Sequence, residues 1–306
     1  MATQQVSPAT AIRQIAITSN LDSEETVSAL LESLFQTTPS TAIKNGATEA
    51  ITSIYLPVDD RSIADLKRII RENLEHLESH GVGIGKVSIS IRKIRAQDWK
   101  ESWKRHFKTI EINERLLVIP PWSRRKAKTN QATVVLDPGM SFGTGNHPTT
   151  LFCLKQIASF NPCEKPGSCI DIGTGSGILA IAAAKLGFAP VDAFDNDEEA
   201  VRSSIQNAER NEVNDLINLF QGSLESLSSK PKKKYSVVCA NLTHDLLKAH
   251  AKRIEAQIES GGLLCLAGIL IEQFDAVRTC FESMGLQFVT DESLNEWKSG
   301  AFRKPN

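Results

Sequence analysis

The stretch Ser168-Cys-Ile-Asp-Ile-Gly-Thr-Gly-Ser-Gly177, running on into Ile178-Leu-Ala-Ile-Ala-Ala-Ala-Lys-Leu186, decides the fold. Its first five residues read as a buried strand, the alternating glycines as a tight turn, and the apolar run as a helix closed by Gly187. Working outward, Pro190-Val-Asp-Ala-Phe194 is the next strand and residues from about 197 to 211 form a helix. Further strands fall at 217–220, 235–240 and 263–267, separated by helical segments, and a strand pair at 286–290 and 297–302 ends the chain. Strands that alternate with helices build a mostly parallel sheet, which receives ligands outside the carboxyl ends of its strands. Residues 131–306 therefore read as one doubly wound α/β domain.

The turn itself carries chemistry. Glycines let the backbone turn sharply and approach a ligand, and the helix start beyond them offers free N–H groups to a carboxylate or phosphate. A dinucleotide fingerprint needs glycine at 173, 175 and 178, but position 178 is Ile. Instead the glycines are Gly173, Gly175 and Gly177, with Asp171 two residues before the first. Asp195 ends the next strand, 22 residues after Gly173. An acid there can accept from both hydroxyls of a ribose; helix capping is the competing role, and Asn196 or Asp197 can fill that equally well. Asn241 closes the strand Val237-Val-Cys-Ala-Asn241, where a carboxamide oxygen can accept a hydrogen bond from an attacking amine. The Leu242-Thr-His244 that follows lacks the Pro-Pro-aromatic platform used on flipped nucleobases. Before the loop lies Asp137-Pro-Gly-Met-Ser-Phe142-Gly-Thr-Gly-Asn-His147-Pro-Thr-Thr150, in which the threonines open a helix and His147 reads first as a structural hydrogen-bonding residue.

Upstream, residues 1–95 alternate short strands and helices. Ile15 and Ile17, Ile54 and Leu56, and Val87, Ile89 and Ile91 alternate as half-buried strands do, with a weaker strand near 41–44. Helical spacing links Val27, Leu30, Leu31 and Leu34, and then Ile63, Leu66, Ile70, Leu74 and Leu77. The order strand, helix, strand pair, helix, strand suggests a ferredoxin-like α+β domain. Residues 96–130 hold three of the four tryptophans and read as a linker, partly structured against its neighbours.

The whole chain has 306 residues, 41% hydrophobic, with a net charge of −1. Such a balance argues against a chain-wide polyanion binder. It is also a cancellation, because 96–130 carries nine basic and four acidic residues whereas 131–306 carries sixteen and twenty-one. The longest apolar run, 261–271, is too short to span a bilayer, and the first residues do not read as a secretory signal. A cytoplasmic protein is expected. None of the six cysteines forms a Cys-x-x-Cys pair; buried free thiols, and no metal, are expected.

These motifs together resemble one family, the ribosomal protein L-eleven methyltransferases of the PrmA type. The resemblance rests on Asp98-Trp99 with Trp103 and His106-Phe107, on Val118-Ile-Pro-Pro-Trp122, and on the string Phe142-Gly-Thr-Gly-Asn-His-Pro-Thr-Thr150. The loop 171–177, Asn207-Ala-Glu-Arg-Asn211, Ala240-Asn241-Leu and Gly261-Gly-Leu-Leu with Ala267-Gly-Ile269 complete it. It implies a Rossmann-like class I methyltransferase domain with a mostly parallel seven-stranded sheet, preceded by the small ferredoxin-like domain as substrate-recognition module. It implies S-adenosylmethionine as cofactor, held by Thr150, Gly173, Asp195 and Asn241, with Phe142, Gly175 and Gly177 beside them. Asn241 is also the expected catalytic residue. The implied reaction is N-methylation of lysine or N-terminal amines of the large-subunit ribosomal protein L-eleven, by a monomer, without membrane or direct nucleic-acid contact. The sequence departs from the family where Asn-Ile-Leu-Ala is replaced by Asn241-Leu-Thr-His244. Two alternatives stay open: a protein-lysine methyltransferase with another target, and an RNA methyltransferase, the latter motivated by Arg124-Arg-Lys-Ala-Lys128 and Lys232-Lys-Lys234.

Overall fold

A computed structural model describes residues 11–35, 37, 39–43, 48–59, 61–79, 83–95, 109–136, 147–160 and 166–306. The chain divides into two compact units, 1–106 and 107–306. Phe142, the other residues of 137–146, Trp99, Trp103 and Cys163 lie outside the described residues.

In the first unit β1 (Ala11–Asn20), α1 (Glu24–Phe35), β2 (Ser40–Ile43), β3 (Glu49–Pro57), α2 (Ile63–Ser79) and β4 (Ser88–Arg95) follow one another. The strands form one antiparallel sheet in the order β2-β3-β1-β4. Ile15 and Ile17 of β1 and Ile54 and Leu56 of β3 meet Val27 and Leu31 of α1 and Leu66, Ile70 and Leu74 of α2 in one core. Burying each such side chain contributes about 1.5–3 kcal/mol.

The second unit opens with β5 (Ile110–Asn113), β6 (Leu116–Ile119) and β7 (Ala132–Val135), a three-stranded sheet in that order. The stretch read from sequence as a linker to residue 130 thus carries, in its described half, two strands of this unit. Arg115 of the β5–β6 turn donates to the carbonyls of Ala158 and Phe160 at 3.0 and 3.1 Å. Those groups lie at the carboxyl end of α3 (Pro148–Ser159), where carbonyls lack helical partners and a cation is favoured.

There follow β8 (Cys169–Ile172), α4 (Ile178–Lys185), β9 (Val191–Asp195), α5 (Glu198–Arg210), β10 (Ile217–Gln221) and β11 (Tyr235–Asn241). Then come α6 (His244–Ala249), α7 (Ala251–Ala256), β12 (Ile258–Leu270), α8 (Ile271–Glu282), β13 (Gln287–Leu294) and β14 (Trp297–Arg303). The seven strands run β10-β9-β8-β11-β12-β14-β13, parallel except for β14, which is antiparallel to both of its neighbours. One face buries α3 and α4 over Cys169, Val237, Cys239 and Cys265; the other buries α6, α7 and α8 over Ile170, Val238 and Leu264. Every residue of α4 from Ile178 to Ala184 is buried, which explains its unbroken apolar sequence. Cys153, Cys169, Cys239 and Cys265 are buried free thiols, and Cys280 is half-buried. Among the described residues no helix is long and apolar enough to cross a membrane.

Candidate functional site at the carboxyl edge of the sheet

The strand order reverses between β8 and β11, both central and parallel, so the crevice beyond their carboxyl ends is where a ligand fits this sheet. Four strands bring chemistry there: β9 ends in Asp195, β8 runs into the glycine loop, β11 ends in Asn241, and β14 starts at Trp297.

The loop is pinned from several sides. Gly173 and Thr174 both donate from their backbone N–H to the Phe194 carbonyl at 3.0 Å, and the Gly177 N–H reaches the Thr174 carbonyl at 2.9 Å. Gly173 has φ +74° and Gly177 φ +80°, values that favour glycine. A Cβ on Gly173 would stand 2.6 Å from Leu242 Cδ2, and one on Gly177 would stand 2.9 Å from Ser204 Cβ. At Gly173 and Gly177 the loop therefore has no space for side chains, where it meets Leu242 just past β11 and Ser204 of the helix after Asp195. Asn207 of α5 donates to the Ser176 carbonyl at 2.9 Å, fixing the loop from below. Asn211, one residue beyond α5, exchanges two 2.7 Å hydrogen bonds with the Val135 backbone and so ties β7 to the same scaffold.

Asp195 is drawn into the loop directly. Its Oδ2 accepts the Gly175 N–H at 2.9 Å and its Oδ1 accepts the Asp197 N–H at 3.1 Å. Capping of α5 falls instead to Asp197, which accepts the Glu199 N–H at 2.9 Å. Asp195 is thus free of the capping role, at a half-exposed strand end.

Among the described residues three buried side-chain polar atoms have no hydrogen-bond partner; one, Ser19 Oγ, lies in the first unit, and the other two, Thr150 Oγ1 and Asp171 Oδ1, lie in the second. Thr150 is 1% exposed in the first turn of α3. Asp171 is also 1% exposed, and its Oδ2 accepts the Thr174 hydroxyl at 2.7 Å. Burial pushes its pKa from 3.8 up to about 7; the Thr174 hydroxyl and the Ala180 N–H draw it back, and the Asp195 charge adds a little. An orphaned buried atom of this kind costs about 1–3 kcal/mol, a cost that a ligand group can remove. His147 contacts the Thr149 hydroxyl through Nδ1 at 2.6 Å and packs edge-on against Trp297, with ring centroids 5.0 Å apart. Burial lowers its pKa, and the Glu296 charge partly offsets that, so the ring is neutral near pH 7. At Asn241, Cα paired with Ala267 of β12, the carboxamide makes no hydrogen bond to the described residues.

Similarity to known proteins now bears on these residues. The sequence model of the family "Ribosomal protein L11 methyltransferase (PrmA)" matches residues 11–305. The chain belongs to this family. A ribosomal protein L11 methyltransferase of Citrifermentans bemidjiense is 37% identical over 255 residues, covering 82% of this chain and 81% of that protein. One from Brevibacillus brevis is 33% identical over 244 residues, covering 79% and 76%. The crystal structure of a ribosomal protein L11 methylase from Lactobacillus delbrueckii subsp. bulgaricus superposes with a TM-score of 0.57 at 27% identity, over 65% of this chain and all of the other. The chain is accordingly a class I S-adenosylmethionine-dependent methyltransferase.

The residues present fit that cofactor. It bears two cationic centres, a carboxylate and a ribose. The unpartnered Asp171 oxygen suits a cation, the Thr150 hydroxyl a polar group, and the positive φ of Gly173, Gly175 and Gly177 gives a backbone turn without side chains at the strand end. Of the residues singled out from sequence, Gly175 and Asp195 meet through a direct hydrogen bond, Gly173 and Gly177 are held in the same loop through the Phe194 and Thr174 carbonyls, and Leu242 packs at Gly173. Thr150 and Asn241 stand at the same edge; Phe142 lies outside the described residues. Asn207 and Asn211 had no role assigned from sequence, because a clamp on a backbone carbonyl leaves no local pattern.

Proposed function

We propose that this chain transfers methyl groups from S-adenosylmethionine to lysine or N-terminal amines of ribosomal protein L11. The observation that carries the reading is the family match from residue 11 to 305, which spans the first unit as well as the catalytic one. We read residues 1–95 as a ferredoxin-like recognition domain, 96–130 as the joint, and 131–306 as the methyltransferase domain of a cytoplasmic monomer.

The bound cofactor supplies a methyl group already activated on a cationic sulfur. The protein then has to bind, orient and exclude water. Asp195 holds the ribose hydroxyls while its own place is set by Gly175. Gly173 and Thr150 contact the rest of the cofactor, beside Gly175 and Gly177. Asn241, whose carboxamide has no partner among the described residues, accepts a hydrogen bond from the incoming amine and aims its lone pair. A lysine ammonium near pKa ~10.4 must first lose a proton, which removal from water beside a cation favours. Positioning can contribute up to roughly 7–11 kcal/mol in ideal cases, so no indispensable general base is required.

The basic runs that would favour RNA are partly neutralised. Arg125 and Lys128 both pair with Glu111, and Lys233 pairs with Asp192. Transfer of labelled methyl to purified ribosomal protein L11, and none to protein-free ribosomal RNA, is the expected result. Label entering RNA alone would overturn the reading.

A further inference from the structure

The start of α3 is an unusual place for a ligand-binding hydroxyl. Its N-cap, His147, makes no side-chain capping hydrogen bond, and Pro148 follows at the first helical position. The turn that presents Thr150 therefore lacks the usual device for holding a helix end. Its first helical hydrogen bond is Leu151 N–H to the His147 carbonyl, at 3.0 Å.

A distant part of the chain makes up for this. Trp297 stands at the start of β14, Cα paired with Leu270 at the carboxyl end of β12. Its ring meets the His147 ring edge-on at 5.0 Å and 66°, and His147 in turn contacts the Thr149 hydroxyl. Next to Trp297, the Glu296 carbonyl accepts the Ile271 N–H at 2.9 Å, which fixes the hairpin tip to the first residue of α8. The β13–β14 hairpin grips α3 a second time through Lys155, whose Nζ lies 2.6 and 2.9 Å from the two carboxylate oxygens of Glu292. Two contacts, about two turns apart on one helix, set both its axial position and its rotation.

We infer that Trp297 is a positioning residue for the cofactor site: by holding the His147 ring it fixes the uncapped turn that presents the Thr150 hydroxyl. The inference rests on the methyltransferase reading above. A T-shaped ring pair contributes enough to change an equilibrium constant by roughly 3- to 10-fold.

The test uses the full-length chain and two readouts. Hydrogen exchange at the Leu151 amide is followed in the cofactor-free protein, and S-adenosylmethionine binding is followed by calorimetry. Trp297→Ala should speed Leu151 exchange and raise the Kd, each by roughly 3- to 10-fold. Trp297→Phe, which keeps a ring edge for His147, should restore most of both, and Trp297→Ala combined with His147→Ala should be no worse than His147→Ala alone. Unchanged exchange and unchanged Kd in Trp297→Ala would overturn the inference. So would a double variant whose effect is the product of the two singles. Where Trp297→Ala does not fold, His147→Ala decides by the same two readouts, with no change again counting against it. Failure of the unaltered protein to bind S-adenosylmethionine would contradict the functional reading instead, and the exchange measurement would still judge the role of Trp297.

Discussion

The Gly175 N–H donates to Asp195 Oδ2 at 2.9 Å, so the acid that ends β9 also shapes the loop that ends β8. One carboxylate thus orders the loop, and in the proposed function it also holds the ribose hydroxyls. Asp195→Ala should lose both effects. Hydrogen bonds to a charged group contribute about 1.5–3 kcal/mol, so S-adenosylmethionine binding should weaken roughly 10- to 100-fold by calorimetry. An unchanged Kd would remove Asp195 from the site.

Gly173→Ala meets two obstacles that can be separated. The φ of +74° costs an L residue about 1–2 kcal/mol, and the new methyl would overlap Leu242 Cδ2 at 2.6 Å. Overpacking adds about 1–3 kcal/mol. In urea unfolding, Leu242→Ala placed in the Gly173→Ala background should be less than additive, by about 1 kcal/mol or more, because it removes the overlap and leaves the backbone cost. Additive behaviour would mean that Leu242 does not lie on the loop.

Asp171 links stability to pH. Its folded-state pKa is raised from 3.8 to about 7, so folding takes up a proton between those values. Its contribution to stability is fully present below pH 4, declines as pH rises, and is lost above about 7. The full shift corresponds to at most about 4 kcal/mol. Thermal unfolding of the cofactor-free protein between pH 5 and 8 should show a Tm that falls with this slope, and Asp171→Asn should flatten it. The carboxamide oxygen still accepts the Thr174 hydroxyl, so loss of that hydrogen bond would not confound the comparison. A slope that survives the substitution would place its source elsewhere.

Much of this site could be read from residue types alone. Gly173, Gly175, Gly177, Asp171 and Asp195 lie within 25 residues, and each owes its role to backbone conformation or to the end of a strand, both of which leave a local signature. The helix at 148–159 and the hairpin at 287–303 were legible for the same reason. The β5–β6–β7 sheet was not, because strands of four residues, interrupted by the turn at 114–115, give too little alternation to distinguish from a linker. His147 and Trp297 are separated by 150 positions, and their contact depends on how β14 inserts between β12 and β13. The separation of Asp195 from capping also needed coordinates, since Asn196 and Asp197 are equally good caps on paper and only the Glu199 hydrogen bond chooses between them.

The proposed function has Asn241 bring cofactor and acceptor together, and the most direct measurement is mass spectrometry of ribosomal protein L11 after incubation with S-adenosylmethionine and either the unaltered chain or Asn241→Ala. With the unaltered chain, methyl increments should appear on lysine or N-terminal amines. Without the orienting carboxamide, turnover should fall by about 100-fold or more, the scale that misplacement of a reacting group produces. Full methylation by the Asn241→Ala chain would contradict the role given to Asn241, and no methylation of ribosomal protein L11 by the unaltered chain would contradict the function itself.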